Sequence, residues 1–127
     1  MKITTFYATE SGESRFGDVS IPLDIEREDD FGHRLMVSAP YASPAVQLVQ
    51  LPAGLDQDFH NAPARQLVVV LSGRVEVETT DGACRQWQPG EIFMPADVTG
   101  RGHRTRTLGG PALVLFAPVP DDFEIGR

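Results

Sequence analysis

Apolar and polar residues alternate along this chain in short runs, and no long stretch repeats with the period of about 3.6 residues that marks an amphipathic helix. Residues Arg74–Thr79 alternate strictly, which is typical of a strand with one solvated face. Residues Leu67–Leu71 are continuously apolar, which predicts a core strand. Further strands are predicted at Ile3–Thr9, Ser14–Leu23, Arg34–Ser38, Ala45–Leu51, Ala83–Gln88, Glu91–Pro95, His103–Leu108 and Ala112–Ala117.

Turn signals separate these runs and favour an all-β sandwich or barrel. Asp81-Gly82 predicts a hairpin, and Pro89-Gly90 suits the centre of a type II turn. The charged run Asp24–Asp30 predicts a solvated loop, and the polar tail Pro118–Arg127 is expected to fray. No repeat or linker interrupts the pattern, so residues 1–127 are predicted to form a single domain.

Composition narrows the function classes. The net charge of -7 disfavours nucleic acid and anionic membranes as partners, because phosphate binding depends on Lys and Arg. The first residues contain no apolar signal segment, and no apolar run approaches the ~18 residues of a membrane span, so a cytoplasmic location is expected. The single cysteine, Cys84, excludes an intramolecular disulfide and is predicted to be a buried or half-buried strand residue.

Residues 54–73 carry a recognisable spacing of glycines and polar residues. Gly54, His60 and Gly73 occupy the positions expected in the first motif of the cupin family, which this segment resembles. That motif has a glycine, five residues, a His-x-His pair, three or four residues, a glutamate, six residues and a glycine. In this chain Ala62 stands at the second histidine position and Gln66 at the glutamate position.

Gly100–His103 resembles the Gly-x-x-His part of the second cupin motif, with Thr107 at the asparagine position. The stretch between Gly90 and Val98 is longer than the motif allows, which predicts an extended loop at the mouth of the barrel. The two motifs span about residues 54–107. The resemblance is closest to small single-domain bacterial cupins, and it implies a cupin double-stranded β-helix, the jelly-roll barrel of that family.

The resemblance also implies a pocket. In cupins that bind metal, three histidines and a glutamate surround Fe, Mn, Ni, Zn or Cu. Two of these ligands are replaced here, so the candidate metal ligands are two imidazoles and one neutral amide, which is a weak ligand. Asp97, in the mouth loop, is a possible additional ligand. The pocket residues implied by the family register and the mouth loop are His60, Gln66, Val68, Val70, Arg101, His103 and Thr107.

Three functions follow from this pattern. The first is a cupin that binds a small molecule, such as an organic anion, in its barrel and has an incomplete metal site. The second is a metal-dependent oxidoreductase or isomerase in which His60 and His103 hold one divalent transition metal. The third is a scaffold that binds a protein partner. Whether the protein is an enzyme is left open at this point, and the resemblance implies a homodimer.

Overall fold

The computed structural model describes residues 1–120, which form β-strands joined by turns and loops. Among these residues, no helix has the length and apolar character that spanning a bilayer requires. In chain order the strands are β1 (Lys2–Ala8), β2 (Ser14–Ser20), β3 (Ile25–Glu28), β4 (Arg34–Val37), β5 (Gln47–Leu51), β6 (Gln66–Ser72), β7 (Val75–Glu78), β8 (Cys84–Trp87), β9 (Ile92–Pro95), β10 (Arg104–Thr107) and β11 (Ala112–Pro118). The predicted all-β class is confirmed.

Two sheets pack against each other, and a two-stranded ribbon stands apart. The larger sheet has the order β2-β1-β9-β6-β11-β5, the smaller has the order β10-β7-β8, and β3 pairs with β4 alone. The segment before β6 extends the smaller sheet through two antiparallel bridges, Asp56 with Arg106 and His60 with His103. These bridges bring the two motif histidines, which are far apart in the chain, to directly opposed positions.

The main core lies between the two sheets. Trp87 of β8 stacks on Phe93 of β9 with their ring centroids 4.1 Å apart, and both residues belong to this core. Burying one such apolar side chain contributes about 1.5–3 kcal/mol, which makes this layer the chief source of stability. The buried residues of this cluster are Phe6, Val68, Val70, Val75, Val77, Trp87, Phe93, Ala112 and Val114.

The region between β2 and β5 differs from its prediction. Ile25–Glu28, predicted as part of a loop, forms strand β3 and pairs with β4 over its whole length. The turn explains the pairing, because the Asp29 carboxylate accepts hydrogen bonds from the backbone N–H groups of Phe31 and His33 and so closes the hairpin. Strand β3 is exposed along its whole length, which is why its residues gave no alternating pattern.

Two other sequence predictions, for Cys84 and for the C-terminal tail, also differ from the structure. Cys84 is exposed, not buried, because β8 is an edge strand and only Trp87 at its far end faces the core. Strand β11 continues to Pro118, and the Val119 N–H donates to the Arg65 carbonyl, so the first residues of the predicted frayed tail are held by the sheet. Asp121–Arg127, the rest of that tail, lies outside the described residues.

Apolar side chains are concentrated on the surface of the segment that contains the β3–β4 ribbon and the start of β5. Phe31 is 84% exposed, and Leu48 on the edge strand β5 is 62% exposed. A two-stranded ribbon is at best marginally stable by itself in water. The homodimer implied by the resemblance stays a prediction, and this surface is where a second copy would gain most from contact.

Candidate functional site

The site is built on a direct backbone pairing of the two motif histidines. The His60 N–H donates to the His103 carbonyl over 3.0 Å, and the His103 N–H donates to the His60 carbonyl over 2.9 Å. Directly opposed residues of an antiparallel pair project to the same face. The two imidazole rings therefore lie side by side, with centroids 4.6 Å apart.

Gly102 makes this close pairing possible. Its φ of +81° lies in the left-handed region, which side chains disfavour. A Cβ atom at this position would lie 2.0 Å from the His60 carbonyl oxygen. Glycine is therefore required both by the backbone conformation and by the approach of the neighbouring chain segment.

Each imidazole has its Nδ1 atom engaged in a hydrogen bond. The Nδ1 of His60 lies 2.7 Å from the backbone carbonyl of Asp58. The Nδ1 of His103 lies 2.6 Å from Oδ2 of Asp97, and both of these side chains are buried. Because a carbonyl can only accept, Nδ1 of His60 carries the proton, and the remaining Nε2 has a free lone pair when the ring is neutral. The carboxylate favours the same tautomer in His103.

Asp97 therefore has a different role from the one that the sequence suggested. It was a possible metal ligand from the mouth loop, yet the structure places it behind His103, fully buried, in contact with the imidazole nitrogen. Its Oδ1 atom is buried and has no hydrogen-bond partner among residues 1–120. A carboxylate in this position orients the histidine ring.

The loop between Asp97 and Gly102 is tied to two neighbouring turns. The Asn61 side-chain amide donates to the carbonyl oxygens of Asp97 and Gly100. The Ser14 hydroxyl donates to the Gly102 carbonyl over 2.8 Å. This network holds the loop, and with it His103, in place. Asn61 gave no signal in the sequence analysis, because its partners are backbone groups of a distant segment.

Next to the histidines is a cavity of about 240 Å³ that has one apolar and one largely polar wall. The larger sheet supplies the apolar wall, apart from Gln66 at the start of β6. The segment before β6 supplies Gln57, His60 and Asn61 to the polar wall, and His103 and Thr105 lie beside them. Ala62, Pro63 and Val75 of β7 add apolar atoms on this side. The apolar wall is formed by Val49, Leu51, Val68, Phe93, Pro95, Val114 and Phe116.

Only some of the residues predicted for the pocket line the cavity. His60, Gln66, Val68 and His103 line the cavity. Val70 lies deeper, fully buried in the main core. Gln57, Asn61 and Thr105 line the cavity but were not predicted; alternation from His103 is the signal that would have found Thr105.

Two other predicted pocket residues have structural partners. The Thr107 hydroxyl donates to the Pro52 carbonyl over 2.8 Å and accepts from the backbone N–H of Leu55. The Arg101 guanidinium binds the Glu13 carboxylate over 2.9 Å and lies over the ring of Phe59. Both residues thus hold the segments around the site and are not among the residues that line the cavity.

A cluster of charges secures the polar wall from outside. Arg106 of β10 binds the carboxylates of Asp56, Glu76 and Glu78. The hydrogen bond to Glu78, together with the charges of Glu78 and Asp56, raises the pKa of Arg106 above its ordinary value. Because Asp56 belongs to the segment that carries His60, this cluster fastens that segment to β10 and β7.

The donor set fits a transition metal only in part. Two imidazoles with their Nδ1 atoms hydrogen-bonded are the usual form of histidine ligands, and His60 and His103 have this arrangement. Gln66 offers only a neutral amide oxygen. Within residues 1–120, no group of three or more His, Cys, Asp or Glu side chains is arranged to hold a metal ion.

Comparison with known proteins finds similarity to a lyase in sequence and to solved lyase structures in fold. No protein-family model matches it. The dimethylsulfoniopropionate lyase DddQ of Ruegeria pomeroyi is 38% identical over 82 residues, a stretch that covers 61% of this chain and 39% of the lyase. This chain therefore spans well under two thirds of that relative.

Two solved structures have the same fold. The crystal structure of DddQ from Ruegeria pomeroyi superposes with a TM-score of 0.52 at 25% identity, covering 94% of this chain and 57% of that chain. A structure from a study of the lyases RdDddP and RnDddQII has a TM-score of 0.50 at 23% identity and covers 65% of this chain and 43% of that chain. Since these fold matches agree with the two motifs, the chain has the double-stranded β-helix fold of cupins.

Proposed function

We propose that this protein binds a small organic molecule in the cavity and processes it by proton transfer at His103 and His60. The observation that carries the proposal is the side-by-side placement of the two imidazoles on the polar wall of the cavity. The likeness to a lyase acting on dimethylsulfoniopropionate supports a reaction on a small molecule.

The hydrogen bonds at Nδ1 explain how the histidines would act. With Nδ1 protonated, the neutral ring has a lone pair on Nε2, which can accept a proton from a bound molecule. Asp97 stabilises the positive charge that His103 gains in that step, because its carboxylate contacts the opposite side of the ring. His103 is therefore the stronger candidate for the proton acceptor, and His60 is its neighbour in position to contact the same molecule.

The surroundings of the site favour such a reaction. Phe6 packs against the His103 ring, with centroids 4.7 Å apart, and fixes it together with Asp97. The apolar wall excludes water from one side of a bound molecule, which strengthens polar interactions on the other side. The polar wall then provides the groups that orient the reacting end.

Ligand binding and turnover test the proposal together. The protein is mixed with a panel of small carboxylic acids, hydroxy acids, carbonyl compounds and dimethylsulfoniopropionate. Binding is followed by amide shifts in protein NMR spectra, and reaction is followed by product formation or deuterium uptake in D₂O. We expect at least one compound to perturb the cavity residues and to react, with turnover reduced about 10²-fold or more in His103→Gln.

Two matched variants make the test specific. His60→Gln should also lower turnover, and it is safer for folding because the His60 imidazole bonds only to a backbone carbonyl in the described structure. His33→Gln serves as the control, because His33 is exposed on the distant ribbon and pairs with Asp29. If no panel compound perturbs the cavity residues, or if all three variants turn over substrate as fast as the wild-type protein, the proposal is wrong.

A metal-dependent enzyme is the second candidate, favoured by the two free Nε2 atoms. His60 and His103 would hold the ion through these atoms, with the Gln66 amide oxygen as a weak third ligand. A bound Fe, Mn, Ni, Cu or Zn ion would supply Lewis-acid chemistry to a substrate in the cavity. The partial donor set places this candidate second.

Metal content distinguishes the two candidates. Protein purified without a histidine tag or chelator is analysed by mass spectrometry, before and after incubation with each metal. The metal enzyme requires about one equivalent per chain, lost in His60→Ala and His103→Ala but retained in His33→Ala. A wild-type protein that contains no metal and takes none up would exclude this second candidate and leave the first unaffected.

A further inference from the structure

We infer that the ligand of this cavity is a small acid with an uncharged, branched apolar tail, and not a sulfonium or ammonium compound. The inference rests on the proposed function, the binding of a small molecule in this cavity, and adds the chemical class of that molecule. It is carried by the division of the cavity into one apolar and one largely polar wall.

The volume limits the size of the ligand. A water molecule occupies about 30 Å³ in the liquid, so a cavity of about 240 Å³ has room for roughly eight non-hydrogen atoms. This volume lies below the usual range of pockets for drug-sized ligands. A short-chain compound is therefore the class that fills it.

The polar wall determines where the head group lies. Gln57 and Thr105 on this wall carry amide or hydroxyl donors, and Gln66 at the start of β6 in the larger sheet adds a further amide to the same cavity. A carboxylate or carbonyl oxygen can accept hydrogen bonds from such donors. The head group therefore lies against this side, where its neighbouring atoms are within reach of His60 and His103.

The opposite wall determines the character of the tail. Its side chains are valine, leucine, proline and phenylalanine, which gain free energy by covering an apolar group. A positive charge placed against them would lose its hydration without a compensating hydrogen bond or counter-charge from this wall. A branched hydrocarbon tail has the matching chemistry.

Phe93, one of the two aromatic residues of the apolar wall, is engaged with other rings of the core. Phe93 stacks on Trp87 with centroids 4.1 Å apart and an angle of 22° between the rings. Phe6 lies against Phe93 at 6.0 Å. Since a cation–π interaction needs the ring face, the stacking of Phe93 on other rings reduces what it can offer to a sulfonium or ammonium group.

The sharpest test compares two molecules that differ at a single atom. 4-Methylpentanoate and dimethylsulfoniopropionate have the same skeleton and the same carboxylate, but the branch point is a neutral carbon in the first and a cationic sulfur in the second. Dissociation constants are measured by NMR titration or calorimetry. We expect 4-methylpentanoate to bind at least about tenfold more tightly, a difference of about 1.4 kcal/mol.

A charge placed in the apolar wall should shift this preference toward the sulfonium compound. Val49 is half-buried on the edge strand β5 and lines the cavity, so Val49→Asp introduces a carboxylate there without disturbing the centre of the core. We expect the affinity ratio to shift by about tenfold or more toward the sulfonium compound. The control is Leu48→Asp, because Leu48 is the adjacent residue on the opposite, exposed face and should leave the ratio within about twofold.

The outcomes separate this inference from the proposed function. If dimethylsulfoniopropionate binds the wild-type cavity as tightly as 4-methylpentanoate or more tightly, the inference is wrong and the proposed function stands. The same holds if neither molecule binds but other members of the panel do. If no small molecule binds in the cavity, the proposed function fails and the inference fails with it.

Discussion

Replacing Gly102 with alanine should destabilise the protein by at least about 3 kcal/mol and separate the two histidines. The new Cβ atom would lie 2.0 Å from the His60 carbonyl oxygen, closer than Cβ atoms come to oxygen in folded proteins. The residue would also be held at a φ of +81°, a conformation that side chains disfavour. The neighbouring segment must therefore move away from β10. Urea unfolding measures the loss of stability, and hydrogen exchange at the His60 and His103 amides reports on the pairing.

Gly82→Ala is the matched control for this substitution. Gly82 has a nearly identical φ of +84°, but a Cβ atom there would meet nothing within 4 Å. Its cost should be limited to the conformational strain, about 1–2 kcal/mol. Equal losses of stability in the two variants, or unchanged protection of the His60 and His103 amides in Gly102→Ala, would show that close packing at Gly102 does not hold the pair together.

Replacing His103 with alanine should cost about 3–5 kcal/mol of stability, because it leaves the buried Asp97 without its partner. Asp97 is fully buried and already has one oxygen without a hydrogen-bond partner in the described structure. Removing the imidazole would leave both oxygens unpaired. Chemical denaturation of the purified variant measures the change.

The decisive result is whether adding Asp97→Ala to His103→Ala raises or lowers the free energy of unfolding. If the cost comes from the unpaired carboxyl group, the variant that also carries Asp97→Ala should be more stable than His103→Ala alone, by about 1 kcal/mol or more. His60→Ala provides the comparison for loss of an imidazole near the surface, and it should cost only about 1 kcal/mol. A double variant less stable than His103→Ala would show that the loss comes from packing and not from the carboxyl group.

The strands could be predicted closely because alternation is a local property. Ala112–Ala117 and Leu67–Leu71 were predicted as core strands from their apolar content, and both lie in the larger sheet. The ribbon strand Ile25–Glu28 was missed because its side chains are exposed on both faces, and an exposed strand leaves no alternating pattern. Cys84 was misjudged because the sequence does not show which strands lie at the edge of a sheet.

The sequence by itself determined the all-β class, the turn positions and the two histidines at cupin motif positions. Only the tertiary structure decided what surrounds them: Asp97 behind His103, Asp56 clamped by Arg106, and an apolar wall from four strands facing a largely polar one. The physical reason is that alternation determines which residues share a face of one strand. Contacts between distant segments depend on strand register, on loop paths and on the close approach that Gly102 allows.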